Sequence, residues 1–359
     1  MPLIWAAISA HGFGHAAQVV PVLNALGRSV PGLHVILRTG VPTSFFHDRL
    51  TIPWTLHSVQ QDIGCVQQGP LKIDVPATWE AHRHFHTQWD ERLTCEVRDL
   101  KAARPSVIIA DTPYLACAAG RETGIPTIGV ANFTWAEILK PYIMPHAASE
   151  QALVATIENH YGRADSALRI APGLPLSPYK TVADIRPIAE PSRSQREEVR
   201  EYLGLAAEER LVLVGFGGIP LTTLPWNAMH NMKGYRFIVD GVLPHAYSGI
   251  RQLSSMPFSF KTLLASVDVV MTKPGYGTVV EAVALDIPIV YVRRHNFADE
   301  QPLVDFMRRY GRSNELLLED FLAGRWEMAL SVSMETSSPA SPPTCSGAQD
   351  AADYLARYF

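Results

Sequence analysis

The chain lacks the features that mark secreted, membrane-spanning or nucleic-acid-binding proteins. Its four cysteines form no CxxC pair, which argues against a disulfide framework or a zinc site and favours a reducing, cytoplasmic location. No apolar run is long enough to span a membrane, and no basic stretch precedes the first apolar run as in a signal peptide. We therefore expect neither a membrane-spanning segment nor a signal peptide, while the sequence leaves a peripheral membrane contact open. A net charge of −4 provides no basic field for nucleic acid.

What the sequence does contain is typical of a globular α/β protein. Its 359 residues, 47% of them hydrophobic, exceed what one core normally serves, so we expect two domains. Apolar strand-like runs alternate with helical runs in both halves, which predicts two parallel sheets covered by helices. The proline-rich stretch 171–192 is interpreted as a linker. We place the domains at 1–175 and 176–335, with 336–359 a linker and a C-terminal helix that packs back on the first domain.

A turn rich in glycine and histidine follows the first predicted strand. The stretch "AHGFGHA" places His11 and His15 around Gly12 and Gly14 just before a predicted helix. A glycine turn at a helix start lets the backbone approach a ligand, and a histidine there can act as acid or base near neutral pH. The pattern is not the GxGxxG of dinucleotide sites. A tight turn with incidental histidines explains this stretch equally well.

Two further glycine turns follow predicted strands, at 215–218 and 273–277. In open parallel sheets, ligands bind beyond the carboxyl ends of the strands. With two such sheets in one chain, the sequence predicts a site in a cleft between the domains.

The third of these turns resembles the donor-binding motif of plant UDP-sugar glycosyltransferases. That motif begins His-x-Gly-x-Asn-Ser-x-x-Glu, and "KPGYGTVVE" has the same spacing with Lys273 in place of the histidine. The resemblance implies a GT-B fold, with two Rossmann-like domains facing a central cleft, and a nucleotide-sugar donor. A helix that begins after a glycine turn offers N–H groups and positive potential to a diphosphate. Glu281 would then accept the ribose hydroxyls; an acidic residue that stabilises the helix dipole is the structural alternative.

A wider resemblance is to the glycosyltransferase-like N-terminal region of L-arabinokinases. It extends over almost the whole chain, in order, through "AHGFGHA", "QDIGCVQQGPLKIDVPAT", "VANFTW", "VGFGGIP", "KPGYGTVVEA" and "YVRRHNFADEQ". Those enzymes carry their kinase domain after this region, and this chain ends where that domain would begin. We therefore expect no kinase activity.

These resemblances imply a role for each candidate residue. His15 is expected to be the general base, with Asp111 as its partner, although His11 competes for that role. The predicted donor-binding residues are Gly14, Gly217, Gly218, Lys273, Gly275, Gly277, Thr278, Glu281, Glu300 and Gln301. The predicted acceptor-binding residues are His11, Asp74, Phe133 and Trp135. For Phe133 and Trp135, core packing is nearly as good an explanation. Arg293 and Arg294 are either phosphate ligands or a surface pair.

The predicted function is the transfer of a sugar, most simply from a UDP-sugar, to a hydroxyl acceptor by metal-independent inverting displacement. No cofactor is expected. His82 and His86 have the spacing of two helical zinc ligands, but no further ligand accompanies them, so acceptor contacts or a solvated helix face are preferred. Two other functions stay open. They are a nucleotide-sugar epimerase, whose additional carboxylates we cannot place, and a non-catalytic nucleotide-sugar-binding protein.

Overall fold

A computed structural model describes residues 1–217 and 224–359 and divides them into two compact units. Unit 1 contains Met1–Val66, Ile73–Ala189 and Cys345–Phe359, and unit 2 contains Gln67–Lys72 and Glu190–Thr344. The boundary follows Ala189 and is therefore later in the chain than the predicted one at 175. The reason is that the proline-rich stretch is not only a linker, because it contains a strand that pairs with the sheet of unit 1.

Unit 1 is built on a seven-stranded parallel sheet with the order β3-β2-β1-β4-β5-β6-β7. Its central strands are short apolar runs buried almost throughout, as expected for strands covered on both faces. The strands are β1 (Leu3–Ile8), β2 (His34–Thr39), β3 (Trp54–Ser58), β4 (Val107–Asp111), β5 (Thr127–Ala131), β6 (Ser166–Ile170) and β7 (Val182–Ile185).

The helices of unit 1 follow the strands in alternation. They are α1 (Phe13–Ser29), α2 (Ser44–His47), α3 (Val75–Thr87), α4 (Trp89–Ala103), α5 (Tyr114–Thr123), α6 (Trp135–Leu139) and α7 (Ala148–Tyr161). Residues 75 to 103 form two helices and not one, because Gln88 leaves the helical conformation between α3 and α4. Helix α6 begins with a capping box in which Thr134 and Glu137 bond each other's backbone N–H groups.

Unit 2 is built on a six-stranded parallel sheet with the order β10-β9-β8-β11-β12-β13. The strands are β8 (Arg210–Val214), β9 (Tyr235–Val239), β10 (Ile250–Gln252), β11 (Val269–Thr272), β12 (Ile289–Tyr291) and β13 (Ser313–Glu315). The helices are α8 (Arg196–Leu203), α9 (Trp226–Asn231), α10 (Phe260–Leu264), α11 (Tyr276–Ala284), α12 (Glu300–Tyr310), α13 (Leu318–Ala323) and α14 (Glu327–Glu335). The sequence-based expectation of two parallel sheets is confirmed.

The last helix, α15 (Gly347–Leu355), belongs to unit 1, where it packs along α1. Arg186, just beyond β7, forms an ion pair with Asp350 of this helix at 2.5 Å. A Cβ on Gly347 would lie 1.9 Å from the carbonyl oxygen of Arg186, so the close approach of the two segments requires glycine there.

Both sheets reverse their strand order beside their first strand. In unit 1 the reversal lies between β1 and β4, and in unit 2 it lies between β8 and β11. At such a point the connections leave in opposite directions and open a crevice at the carboxyl ends of the strands, where ligands of α/β proteins bind. The candidate residues of each unit are therefore sought at these two places. Across residues 1–217 and 224–359, no helix is long and apolar enough to cross a membrane.

Candidate active site

The strand reversal of unit 1 brings His15 and Asp111 together. The register of β1 and β4 pairs Ile8 with Asp111, and α1 begins soon after β1 ends. His15 Nδ1 lies 3.0 Å from Asp111 Oδ2 and 3.2 Å from Oδ1. His15 is 8% exposed and Asp111 is fully buried. When Nδ1 carries the proton and donates a hydrogen bond to Asp111, Nε2 can act as a base, and the carboxylate stabilises the imidazolium that forms.

Aromatic rings surround this dyad. Phe133 meets the His15 ring edge-on at a centroid distance of 5.5 Å, and Trp135 lies at 6.2 Å. His11 meets Trp135 edge-on at 5.1 Å. The structure thus gathers three predicted acceptor residues around His15. Trp135 is only 1% exposed, so its ring mainly packs the interior and offers little face to a sugar.

The glycines of the first turn are not required by backbone conformation or by packing. Gly12 is extended, with φ −178, and no atom of the described residues lies within 4 Å of a Cβ placed on Gly12 or on Gly14. Open space at the start of α1 is what a ligand that approaches the backbone needs. Gly64 differs, because a Cβ there would lie 2.1 Å from Nδ1 of His11. That glycine makes room for the His11 ring.

Sequence reasoning missed the buried carboxylate of Asp62, which lies beside the dyad. Its oxygens accept hydrogen bonds from Trp135 Nε1 at 2.6 Å and from Ser9 Oγ at 3.1 Å. Burial raises the pKa of Asp62 to about 6, while the bond from Trp135 and the charge of His15 oppose that rise. Asp62 follows the short strand-like run of β3, and its position beyond a strand's carboxyl end was the signal in the sequence that could have identified it.

Asp74 has a structural role at the start of α3. It is the N-cap of that helix, and its side chain accepts a hydrogen bond from the backbone N–H of Ala77 at 3.0 Å. This contact accounts for the residue without an acceptor, so its predicted acceptor role remains a prediction.

The two candidate zinc-spaced histidines of α3, His82 and His86, do not form a solvated helix face. His82 is fully buried, and burial lowers its pKa to about 3. His86 is half-buried with a pKa lowered to about 4 by burial; its ring stacks on Trp89, and its Nε2 lies 3.0 Å from the hydroxyl of Tyr114. In the part of the chain that the structure describes, no three histidine, cysteine, aspartate or glutamate side chains are grouped as metal ligands.

The strand reversal of unit 2 places the side chain of Lys273 near two glycines, Gly217 after β8 and Gly275 before α11. Cε of Lys273 lies 3.9 Å from the Cβ position of Gly217 and 4.0 Å from that of Gly275. Gly217 has φ +62, which favours glycine, and Gly275 is the N-cap of α11. Burial, and then the positive charge of Arg294, lower the pKa of Lys273 to about 8, while Asp299 opposes them. A cation thus lies beside backbone N–H groups at a helix N-terminus, which suits a diphosphate.

Glu281 is held by a lysine that sequence reasoning did not single out. Lys261 Nζ, on α10, lies 2.8 Å from Glu281 Oε1, and it also donates to the carbonyl oxygen of Glu190 at 3.3 Å. Glu281 is 7% exposed, and burial raises its pKa, which the bond from Lys261 opposes. The other predicted residues of this helix start, Gly277 and Thr278, are exposed and half-buried respectively.

The predicted sugar-binding pair Glu300–Gln301 is engaged by arginines of unit 2. Glu300 is 2% exposed, and its carboxylate is bonded by the side chain of Arg293 and by the backbone and side chain of Arg294. Gln301 Oε1 accepts from Arg293 at 3.1 Å. The arginines are therefore partners of Glu300 and not a free surface pair. Sugar binding by Glu300 and Gln301 stays a prediction, and Gly218 lies outside the described residues.

Comparisons with known proteins give one relative by sequence and many by structure. No protein-family model matches the chain. It is 29% identical over 330 residues to L-arabinokinase of Arabidopsis thaliana, and the aligned region covers 89% of this chain and 31% of the relative. The chain therefore spans about a third of the length of that relative.

Solved structures of glycosyltransferases share the fold over the full chain. The glycotransferase of kitacinnamycin has a TM-score of 0.70 at 15% identity, covering 100% of this chain and 99% of the other. Phytolacca americana UGT2, complexed with UDP-2fluoro-glucose and pterostilbene, has a TM-score of 0.61 at 14% identity, covering 99% and 94%. The predicted fold class is confirmed, and the chain has the GT-B fold of these glycosyltransferases.

Proposed function

We propose that the chain is a glycosyltransferase that moves a sugar from a nucleotide-sugar donor to a hydroxyl acceptor. The observation that carries the proposal is the buried hydrogen bond between His15 Nδ1 and Asp111 Oδ1, at 3.2 Å, beside the first glycine turn of a GT-B fold. Such a pair is the base that an acceptor hydroxyl needs in order to attack an anomeric carbon. The donor is proposed to be a UDP-sugar, from the spacing of "KPGYGTVVE" and from the UDP-sugar in the Phytolacca americana complex.

The proposed reaction is a single displacement with inversion. His15 Nε2 takes the proton of the acceptor hydroxyl as its oxygen forms a bond to the anomeric carbon. The bond from that carbon to the phosphate oxygen breaks, and the nucleoside diphosphate leaves with the electron pair. Asp111 stabilises the imidazolium, and Lys273 with the N-terminus of α11 stabilises the charge on the leaving diphosphate.

Nucleotide binding is tested first, because it needs no acceptor. Thermal unfolding is followed with UDP, dTDP, GDP, ADP and CMP on the wild type and on Glu281→Ala. Glu209→Ala is the matched control, since Glu209 is a unit 2 carboxylate just before β8 that pairs with Arg236 of β9. A ligand at a hundred times its dissociation constant stabilises the folded state by about 2.7 kcal/mol. We expect one nucleoside diphosphate to stabilise the wild type and the control, and Glu281→Ala to lose most of that gain.

Turnover is tested next with sugar donors of the nucleotide that binds. Pentose donors belong in this panel because the Arabidopsis relative is named for L-arabinose. Release of nucleoside diphosphate should depend on an added hydroxyl acceptor, and the anomeric configuration of the product reports inversion or retention. His15→Gln should abolish turnover and keep the nucleotide-induced stabilisation. Binding without turnover across donors and acceptors would favour a non-catalytic nucleotide-sugar-binding protein, and donor conversion without acceptor would favour an epimerase.

A further inference from the structure

The proposed mechanism leaves one buried carboxylate beside the dyad without a role. Asp62 lies on the segment after β3, in neither helix nor strand, and is 6% exposed. Trp135 Nε1 donates to it at 2.6 Å and Ser9 Oγ at 3.1 Å, while Thr112 Oγ1 lies at 3.4 Å. A buried carboxylate is costly unless hydrogen bonds compensate for its lost hydration. This one gathers donors from three separate segments of unit 1.

Each of these donors is adjacent to the dyad. The Trp135 ring packs against the rings of both His11 and His15. Ser9 is the last residue before the first glycine turn, and its Oγ accepts from the backbone N–H of His11 at 3.3 Å. Asp62 is therefore bonded to Ser9, directly before the turn, and to Trp135, which packs on His11 within it. Gly12 and Gly14 have no side chains that could stabilise the turn by packing.

Thr112 follows Asp111 directly and has an unusual backbone conformation. Its φ of 62 lies in the left-handed region, which is unfavourable for a β-branched residue and persists only where the surroundings enforce it. Its carbonyl oxygen accepts from the hydroxyl of Tyr161 at 2.6 Å, and that hydroxyl accepts from the backbone N–H of Trp135 at 3.0 Å. The segment carrying Asp111 is thus tied to the same tryptophan that Asp62 binds.

We propose that Asp62 is a positioning residue for the His15–Asp111 pair. Its carboxylate fixes Trp135 and Ser9, and through them the turn that carries His15, so that Nδ1 of the ring stays directed at Asp111. The charged groups that face His15 in this arrangement are Asp111 from β4 and Asp62 from the segment after β3, and His11 lies on the same turn. The inference rests on the proposed function only for its effect on turnover, because the tautomer of His15 can be observed without any substrate.

The test compares Asp62→Ala, Asp62→Asn and Ser9→Ala with the wild type. Long-range proton–nitrogen NMR of the ¹⁵N-histidine-labelled protein reports the tautomer of His15, assigned with His15→Gln. Asp165→Ala is the matched control, since Asp165 is another unit 1 carboxylate that accepts a backbone hydrogen bond, from Thr127 at 2.7 Å. Wild type and control should show a single Nδ1–H tautomer.

Asp62→Ala should give a mixture of tautomers and lower kcat by up to about a hundredfold, the cost of a reacting group misplaced by an ångström. Asp62→Asn should keep one tautomer and most of kcat, because its amide oxygen can accept from Trp135 while its amide nitrogen donates to Ser9. Ser9→Ala should lie between. None of the three should change nucleotide-induced stabilisation, which the proposal assigns to unit 2.

Several results would overturn the inference. One is a wild-type tautomer and kcat in Asp62→Ala. Another is Asp62→Asn behaving like Asp62→Ala, since the charge of the carboxylate, and not its hydrogen bonds to Trp135 and Ser9, would then control the tautomer of His15. If Asp62→Ala does not fold, a wild-type tautomer and kcat in Ser9→Ala would overturn it instead. A wild-type His15 without a single tautomer would overturn the dyad and the inference together, whereas an intact set of tautomer shifts without turnover would overturn the proposed function alone.

Discussion

The pH dependence of diphosphate binding isolates the contribution of Lys273. Its pKa is lowered to about 8 by burial and by Arg294, so the unliganded protein loses this charge in a range where ordinary lysines keep it. A bound diphosphate favours the charged form and raises the pKa again. Affinity should therefore be full below about pH 8 and decline as the pH rises above it.

The size of this effect follows from the pKa. If the bound diphosphate returns the pKa of Lys273 to the ordinary range of lysine, the dissociation constant rises about thirtyfold between pH ~7 and ~9.5, or roughly 2 kcal/mol. Lys273→Arg keeps its charge throughout and should show only the change due to the ligand's own ionisation. Lys273→Met should bind more weakly at pH ~7, with the pH dependence of the arginine variant.

Isothermal titration calorimetry with the nucleoside diphosphate that stabilises the wild type measures these constants. Because the ligand is the same for all three proteins, the difference between wild type and Lys273→Arg reports Lys273 alone. Equal pH dependence in these two proteins would refute the reasoning, since the lysine would then not face the diphosphate. Inorganic pyrophosphate, used as a second probe, separates phosphate contacts from those to the nucleoside.

Three further outcomes test other residues. Asp111→Asn should lower kcat by about a thousandfold or more with little change in nucleotide binding, and a loss of less than tenfold in a pH–rate series would contradict the assigned role. Glu281→Ala and Lys261→Met should be non-additive in nucleotide affinity by about 1 kcal/mol, measured in a double-mutant cycle. His82, with its pKa near 3, stays neutral when folded but binds a proton below pH ~6.5 when unfolded. Stability should hence fall as the pH falls below ~6.5, and His82→Leu should remove roughly 2.5 kcal/mol of the loss between pH ~7 and ~4.5 in urea unfolding.

The sequence predicted those parts of the candidate site that lie at the ends of strands or at the starts of helices. Asp111 ends an apolar strand, and the glycine turn with His15 follows another. Adjacent parallel strands bring their carboxyl ends to one edge, and the 3.0 Å contact forms although the two residues are 96 positions apart in the chain. The spacing of "KPGYGTVVE" similarly placed Lys273 at the start of α11.

Contacts that depend on the path of a loop were not predictable in this way. Asp62 meets Ser9 only because the segment after β3 folds back over the end of β1, and neither strand periodicity nor motif spacing encodes that path. Glu300 resembles a sugar-binding residue, although it lies later in the chain than the family's spacing predicts, and Arg293 and Arg294 bond it through a turn whose geometry the spacing does not fix. Strand β7 was missed because the prolines around it outweighed four residues of strand pattern.

The charges at the two strand reversals differ in a way that suits the two halves of the proposed reaction. In unit 1, Asp111 contacts His15 and Asp62 interacts with it electrostatically, and negative charge stabilises an imidazolium that forms when a proton is accepted. In unit 2, Lys273 comes just before the N-cap of α11 and interacts electrostatically with Arg294, and positive potential at a helix N-terminus stabilises a departing diphosphate. In the proposed reaction, proton uptake and departure of the anion would therefore each take place beside charge of the opposite sign, although the strand order of unit 2 recurs in the first six strands of unit 1.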